Sequence, residues 1–221
     1  MDSLPEISER IRQDFEIRTQ MRDKALAEAR QLTRHCALAI RAIHRSEIEI
    51  AVEHLNLAGV TAQALKQMLA PYPDLFYAGY TQDAIKEFVE ASITCALIQN
   101  LALPSPEALG VEYATYLNGL AEVTGELRRR CLDILRQGYS QEAERLLRCM
   151  DDIYAVLVTI DFPDAVTNGL RRQTDLVRGI VERTRGDLTI SLREQHLEAA
   201  LKSYAVRFGL EEASLEDDPG V

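Results

Sequence analysis

From Pro5 to Leu57 the chain contains no glycine and no further proline, while Ile7, Ile11, Phe15, Met21, Ala25, Ala29, Leu32, Cys36, Ala39 and Ile43 recur at helical spacing. A segment so free of breakers has one regular option, because each turn adds hydrogen bonds without a residue that removes a donor or loosens the backbone. This predicts one very long helix or two nearly collinear ones. The remaining composition agrees: 11 Gly, 7 Pro and 6% aromatic residues in 221 are too few turn formers and strand formers for a β-sandwich. The expected fold class is all-α, a single-domain bundle of about seven helices.

Gly59 and the Pro71-Tyr72-Pro73 cluster bracket a short helix through Val60, Leu65 and Met68. Thr81-Gln82 opens a helix to about Leu103, stopped by Pro104-Ser105-Pro106. A fourth helix is expected from Pro106 to Arg136, where Gly110, Gly119 and Gly125 would let another helix approach closely. Gly138 ends it, and Ser140, with Glu142 and Glu144 in the following turn, starts the next. That helix carries the stripe Leu146, Leu147, Met150, Ile153, Tyr154, Leu157 and Ile160. After a break at Asp161 to Asp164, Val166, Leu170, Val177 and Val181 mark a sixth helix ending near Gly186, and Leu188 to Val206 a seventh. The domain is expected over residues 1–208. Residues 209–221, with Glu211-Glu212 and Glu216-Asp217-Asp218, read as an acidic, mobile tail.

No membrane-spanning run and no signal-like N-terminus is visible, so a cytoplasmic protein with no membrane partner is expected. The four cysteines (Cys36, Cys95, Cys131, Cys149) form no Cys-x-x-Cys pair and read as small hydrophobes. Net charge is −10, from 35 acidic and 25 basic residues, which taken as an average argues against a surface coated in positive charge. Phosphate-binding loops, nucleophile elbows and dinucleotide fingerprints are absent, and none of His35, His44, His54 and His196 stands three residues after a glutamate as di-iron bundles require.

What remains is carboxylate chemistry. Glu87-Phe88-Val89-Glu90 sets two acids on one helix face, and Glu122-Val123-Thr124-Gly125-Glu126 sets two more, both inside apolar stretches. Crowded carboxylates repel, and a hard cation such as Mg²⁺, or Mn²⁺ in its place, would relieve the repulsion. The spacing alone is common: Glu49 and Glu53 repeat it in an ordinary helix.

The combination is more specific. Glu87-Phe88-Val89-Glu90-Ala91, followed by Tyr116-Leu117-Asn118-Gly119-Leu120-Ala121-Glu122-Val123-Thr124-Gly125-Glu126-Leu127-Arg128-Arg129, closely resembles the translin family. The resemblance is closest to its translin-associated factor X branch and points to a prokaryotic-type homologue. It runs over most of residues 20–190. It implies a translin-like bundle assembling into a closed, barrel-like homo-oligomer, an octamer, that binds single-stranded RNA or single-stranded DNA. In the factor X branch it implies Mg²⁺-dependent endoribonuclease activity, with Glu87, Glu90, Glu122 and Glu126 at the catalytic and metal-binding positions. Glu122 departs from the aspartate usual there and reaches one methylene further. The alternative is a non-catalytic single-strand nucleic-acid binding scaffold of the translin type.

Arg30, Arg34, Arg41, His44 and Arg45, together with Lys24, form a basic series along the first helix, and Arg128, Arg129 and Arg130 follow the second acidic pair. Either these are solvated or paired with glutamates, or they hold phosphates in a positively lined lumen while the excess negative charge sits outside. Tyr77, Tyr80 and Tyr116 are open to the same two readings, base stacking or core packing.

Overall fold

The computed structural model describes residues 3–208, so the acidic tail lies outside the described residues. Among them are nine helices and no strand. They are α1 (Leu4–His44), α2 (Ile48–Leu69), α3 (Pro73–Phe76), α4 (Gly79–Ile98), α5 (Pro106–Leu109), α6 (Tyr113–Leu135), α7 (Gln141–Leu157), α8 (Asp164–Thr167) and α9 (Leu170–Phe208). None of the described helices is long and apolar enough to cross a membrane.

The expected collinear arrangement at the N-terminus is corrected. After the 41 residues of α1 the chain reverses, and α2 packs back along it, bringing His35 and His54 to 3.3 Å. The reversal is a Schellman motif: Glu47 N–H donates to Ala42 O and Ser46 N–H to Ile43 O, each at 3.0 Å, with Ser46 at φ +62°. A serine in the left-handed region costs about 1–2 kcal/mol. Packing of two long apolar faces offsets it, and no glycine announces the turn. Gly59, expected to start a helix, sits inside α2.

Other boundaries move: the helix expected to reach about Leu103 ends at Ile98, and Val166 lies in the short α8, apart from Leu170. The helix expected from Pro106 is split, because Gly110 adopts φ +68° and closes α5, capped at its start by Ser105 Oγ accepting from Ala108 N–H. Conversely, the break expected at Gly186 is absent and α9 runs unbroken for 39 residues. A single helical glycine costs only about 1 kcal/mol, which tertiary packing outweighs. Ser140 starts α7 as expected, its Oγ accepting from Glu142 N–H.

Helix α4 organises the interior. Its Ala84, Ile85, Phe88 and Ala91 join one buried cluster with Ala25, Ala29, Leu32 and Cys36 of α1 and Leu65 of α2. Its Val89, Ile93 and Leu97 join a second, with Val123 and Leu127 of α6, Met150 of α7, and Val177 and Leu188 of α9, and its Cys95 a third with Ala39, Ile43 and Ala51. Burying each such side chain contributes about 1.5–3 kcal/mol. A helix packed on both flanks holds its remaining polar positions in fixed register. Burial pushes the thiols of Cys36, Cys95 and Cys131 up to about 12, as expected of inert core cysteines, while Cys149 is half-buried.

Apolar side chains also reach solvent at both long helix ends. Ile7, Ile11 and Phe15 of α1 are exposed, and α9 buries nothing beyond Leu188, leaving Ile190, Leu197, Leu201, Tyr204 and Phe208 uncovered.

Candidate metal centre and basic face

Gly119 sets the distance between the two acidic helices. A Cβ placed there would meet Val89 Cβ at 2.8 Å and Lys86 O at 3.0 Å, so only glycine lets α6 approach α4 at this level. Directly beside this contact α4 presents Glu87 and Glu90, and one turn further along α6 lies Glu122. Carboxylate oxygens of these three lie within 4.8 Å of one another, and each residue is half-buried. Gly125, the other helical glycine expected to admit a neighbour, has nothing within 4 Å of the corresponding point.

The three acids disfavour one another's ionised forms. Burial first, then repulsion from Glu87, Glu122 and Glu126, pushes Glu90 up to about 8. Glu87 is raised as well, chiefly by burial and then by Glu122, with Lys86 working the other way. Oxygens at these separations can close around one hard cation, whose ligands at about 2.0–2.1 Å sit roughly 3–4 Å apart, with waters completing the shell. The cluster already holds a stand-in cation: Lys86 Nζ is 2.8 Å from Glu122 Oε1. The residues present therefore fit a Mg²⁺-type ion, with the longer Glu122 side chain reaching the cluster.

Glu126 is placed differently from the other three. It lies beside the cluster, but its Oε2 accepts from His44 Nε2 at 2.6 Å, with Arg129 at 3.6 Å. The His44 hydrogen bond holds the Glu126 carboxyl below the usual glutamate range, against the effect of burial. His44 itself is 3% exposed, and its Nδ1 is buried without a partner.

The basic residues separate into two groups. Arg30, Arg34 and Arg41 are exposed on α1 and Arg45 at its C-cap, spaced so that they share one face, and none forms an ion pair among the described residues. Arg30 lines a groove with Leu26, Ala29, Thr33, Tyr80, Asp83, Ala84 and Glu87, so at Arg30 this face borders the acidic cluster. Arg129 is also exposed, at 54%. By contrast, Arg128 ties α6 to α9 through Asp187 Oδ2 at 2.8 Å and Thr184 Oγ1 at 3.0 Å, and Arg130 donates to His44 O at 3.1 Å. Tyr116 packs in the core with its hydroxyl donating to Pro104 O, Tyr80 is half-buried in the groove, and Tyr77 is exposed. Glu49 and Glu53 lie exposed, away from any cluster.

Sequence reasoning missed Lys86 and the pairing of His44 with Glu126. Lys86 precedes Glu87 directly, and a lysine beside crowded acids was the available signal. The His44 contact spans 82 positions and has no local signature.

No family model matches the chain. It is 34% identical over 193 residues to an uncharacterised protein of Methanocaldococcus jannaschii, covering 86% of this chain and 84% of that one. Among solved structures it is similar to AfC3PO in a complex with duplex RNA (33% identity, TM-score 0.77, 84% of this chain and 96% of that chain). The crystal structure of AfC3PO alone gives 32% identity and a TM-score of 0.78 over 84% and 97% of the two chains. The apo-NeC3PO crystal structure, at 20% identity and TM-score 0.77 over 86% and 100%, shares the fold. Similarity of this extent over nearly the whole of those chains means that the chain belongs to the translin family as a prokaryotic-type, C3PO-like member.

Proposed function

We propose that this chain is a divalent-metal-dependent endoribonuclease acting on RNA held along the basic face of α1. The observation that carries the reading is the convergence of Glu87, Glu90 and Glu122 from two helices, beside arginines that form no ion pair among the described residues. Acids that serve only solubility have no reason to crowd half-buried against one another.

Glu87, Glu90 and Glu122 would hold Mg²⁺ or Mn²⁺. When bound, the ion supplies an acidified water and stabilises charge on the scissile phosphate. Glu126 completes the set from the side: His44 and Arg129 engage its Oε2, keeping it ionised and leaving Oε1 to accept a proton from the attacking water. Arg30, Arg34, Arg41, Arg45 and Arg129 bind phosphates, and Arg128 and Arg130 fix the helices that carry the site.

The complex of AfC3PO with duplex RNA supports RNA as ligand, and the cleavage substrate is inferred to be single-stranded. The uncovered apolar ends of α1 and α9 support a closed homo-oligomer, inferred to be an octamer, enclosing the basic face. An intact labelled single-stranded RNA cut with Mg²⁺ but not with EDTA, alongside the same sequence as a duplex and as DNA, tests the activity. Binding without any cleavage would identify a non-catalytic scaffold instead. A stable monomer mass by light scattering at micromolar concentration would overturn the assembly.

A further inference from the structure

The residue beside the acidic cluster that no catalytic role has absorbed is Lys86. Its Nζ sits 2.8 Å from Glu122 Oε1 and 3.9 Å from Asp83 Oδ1, and its side chain is only 22% exposed. Its two carboxylate neighbours come from different helices, Glu122 from α6 and Asp83 from α4. The carboxylate that holds Lys86 is one of the three whose oxygens converge.

We propose that the Lys86 ammonium is a built-in counter-ion, which occupies Glu122 in the metal-free protein and is displaced when a divalent cation binds the Glu87, Glu90 and Glu122 cluster. The inference rests on the metal reading above and adds a competitor to it.

Charge and mobility both favour displacement. A divalent ion brings twice the charge of the ammonium and bonds the carboxylate oxygens directly, so the lysine moves aside when it binds. The backbone of Lys86 is pinned, since its carbonyl faces Gly119 across the α4–α6 contact. The four-carbon stem is not, and an ammonium is a point charge without a fixed hydrogen-bond direction. Asp83, one turn back on the same face and 75% exposed, gives the released ammonium a second carboxylate at the mouth of the groove that Arg30 lines.

The test uses the full-length protein stripped with EDTA, and Mn²⁺ alone as the probe, followed by electron paramagnetic resonance of the free ion. Wild type should bind Mn²⁺, and Lys86→Met should bind it about fivefold tighter or more, because the ion no longer competes with a resident charge. Lys86→Arg should stay within about twofold of wild type, since the charge remains. Arg171→Met, which removes an equal charge from an exposed pair with Asp161, should leave the affinity unchanged. A second readout needs no variant: acetylation of Lys86 in the wild type, measured by mass spectrometry, should speed up severalfold on adding Mn²⁺. If Mn²⁺ binds wild type but Lys86→Met binds no tighter, or Lys86 reactivity is unmoved, the counter-ion role is overturned and the metal site stands. If wild type takes up no Mn²⁺ at millimolar concentration, both are overturned.

Discussion

His44 Nε2 lies 2.6 Å from Glu126 Oε2, joining the last turn of α1 to the middle of α6 across 82 positions of sequence. A hydrogen bond to a charged acceptor contributes about 1.5–3 kcal/mol, and this one also fixes the side chain proposed to take a proton. Because the folded pKa of Glu126 is lowered, the bond's stabilisation is fully present above the unfolded glutamate pKa and is lost as pH falls through the folded value. His44→Gln should therefore lower stability most at neutral pH and least near pH 3. It should also shift the acid limb of the cleavage profile to higher pH. Thermal unfolding across pH and a pH–rate profile check both; an unmoved acid limb would exclude Glu126 as the proton acceptor.

Glu90 carries the opposite sign. Its folded pKa of about 8 lies above the unfolded value, so the folded state binds the extra proton and stability falls as pH rises from about 4.5 to 8. Glu90→Gln removes this penalty. In EDTA its melting temperature should exceed that of wild type at pH 8, by on the order of 3 °C or more, and converge with it near pH 4. With Mg²⁺ added, only wild type should be stabilised. A variant less stable than wild type at pH 8 would mean that Glu90 is held by favourable partners.

Two glycines on α6 should respond in opposite directions to the same change. Gly119→Ala places a methyl 2.8 Å from Val89 Cβ, and overpacking of that kind costs about 1–3 kcal/mol despite alanine's better helix propensity. Gly125→Ala meets nothing within 4 Å and should stabilise by up to about 1 kcal/mol. Denaturant unfolding of the two variants decides it. Spreading α4 from α6 should also weaken Mn²⁺ uptake in Gly119→Ala, since Glu122 withdraws from Glu87 and Glu90.

The two classes of arginine separate by salt dependence. Replacing Arg34 and Arg41 with Gln should reduce the slope of log affinity against log salt for single-stranded RNA by about 1.4, two phosphate contacts at roughly 0.7 each. Arg128→Gln should instead lower stability, by severing α6 from Asp187 and Thr184, and leave the slope unchanged. Filter binding from low to high salt checks the slopes. An equal loss of slope in Arg128→Gln would return that residue to the phosphate-binding set.

The sequence by itself determined the all-α class, the Ser140 cap, the apolar stripe of α7 and the two acidic pairs, because these follow from local rules: helix period, capping chemistry, and the common face of residues three or four apart. Gly119 was legible as a place where a helix comes close. The family was legible in the motif that contains it. Other features were decided only when distant segments met. The reversal at Ser46 depends on the gain from packing α1 against α2, since the turn itself is locally unfavourable and has no glycine to mark it. The continuity of α9 through Gly186 is likewise a packing outcome overriding a small local penalty. The division of the four acids into three that converge and one held by His44, with Lys86 seated on Glu122, is electrostatic. It depends on interhelical distances of a few ångströms, which no spacing within a single helix specifies.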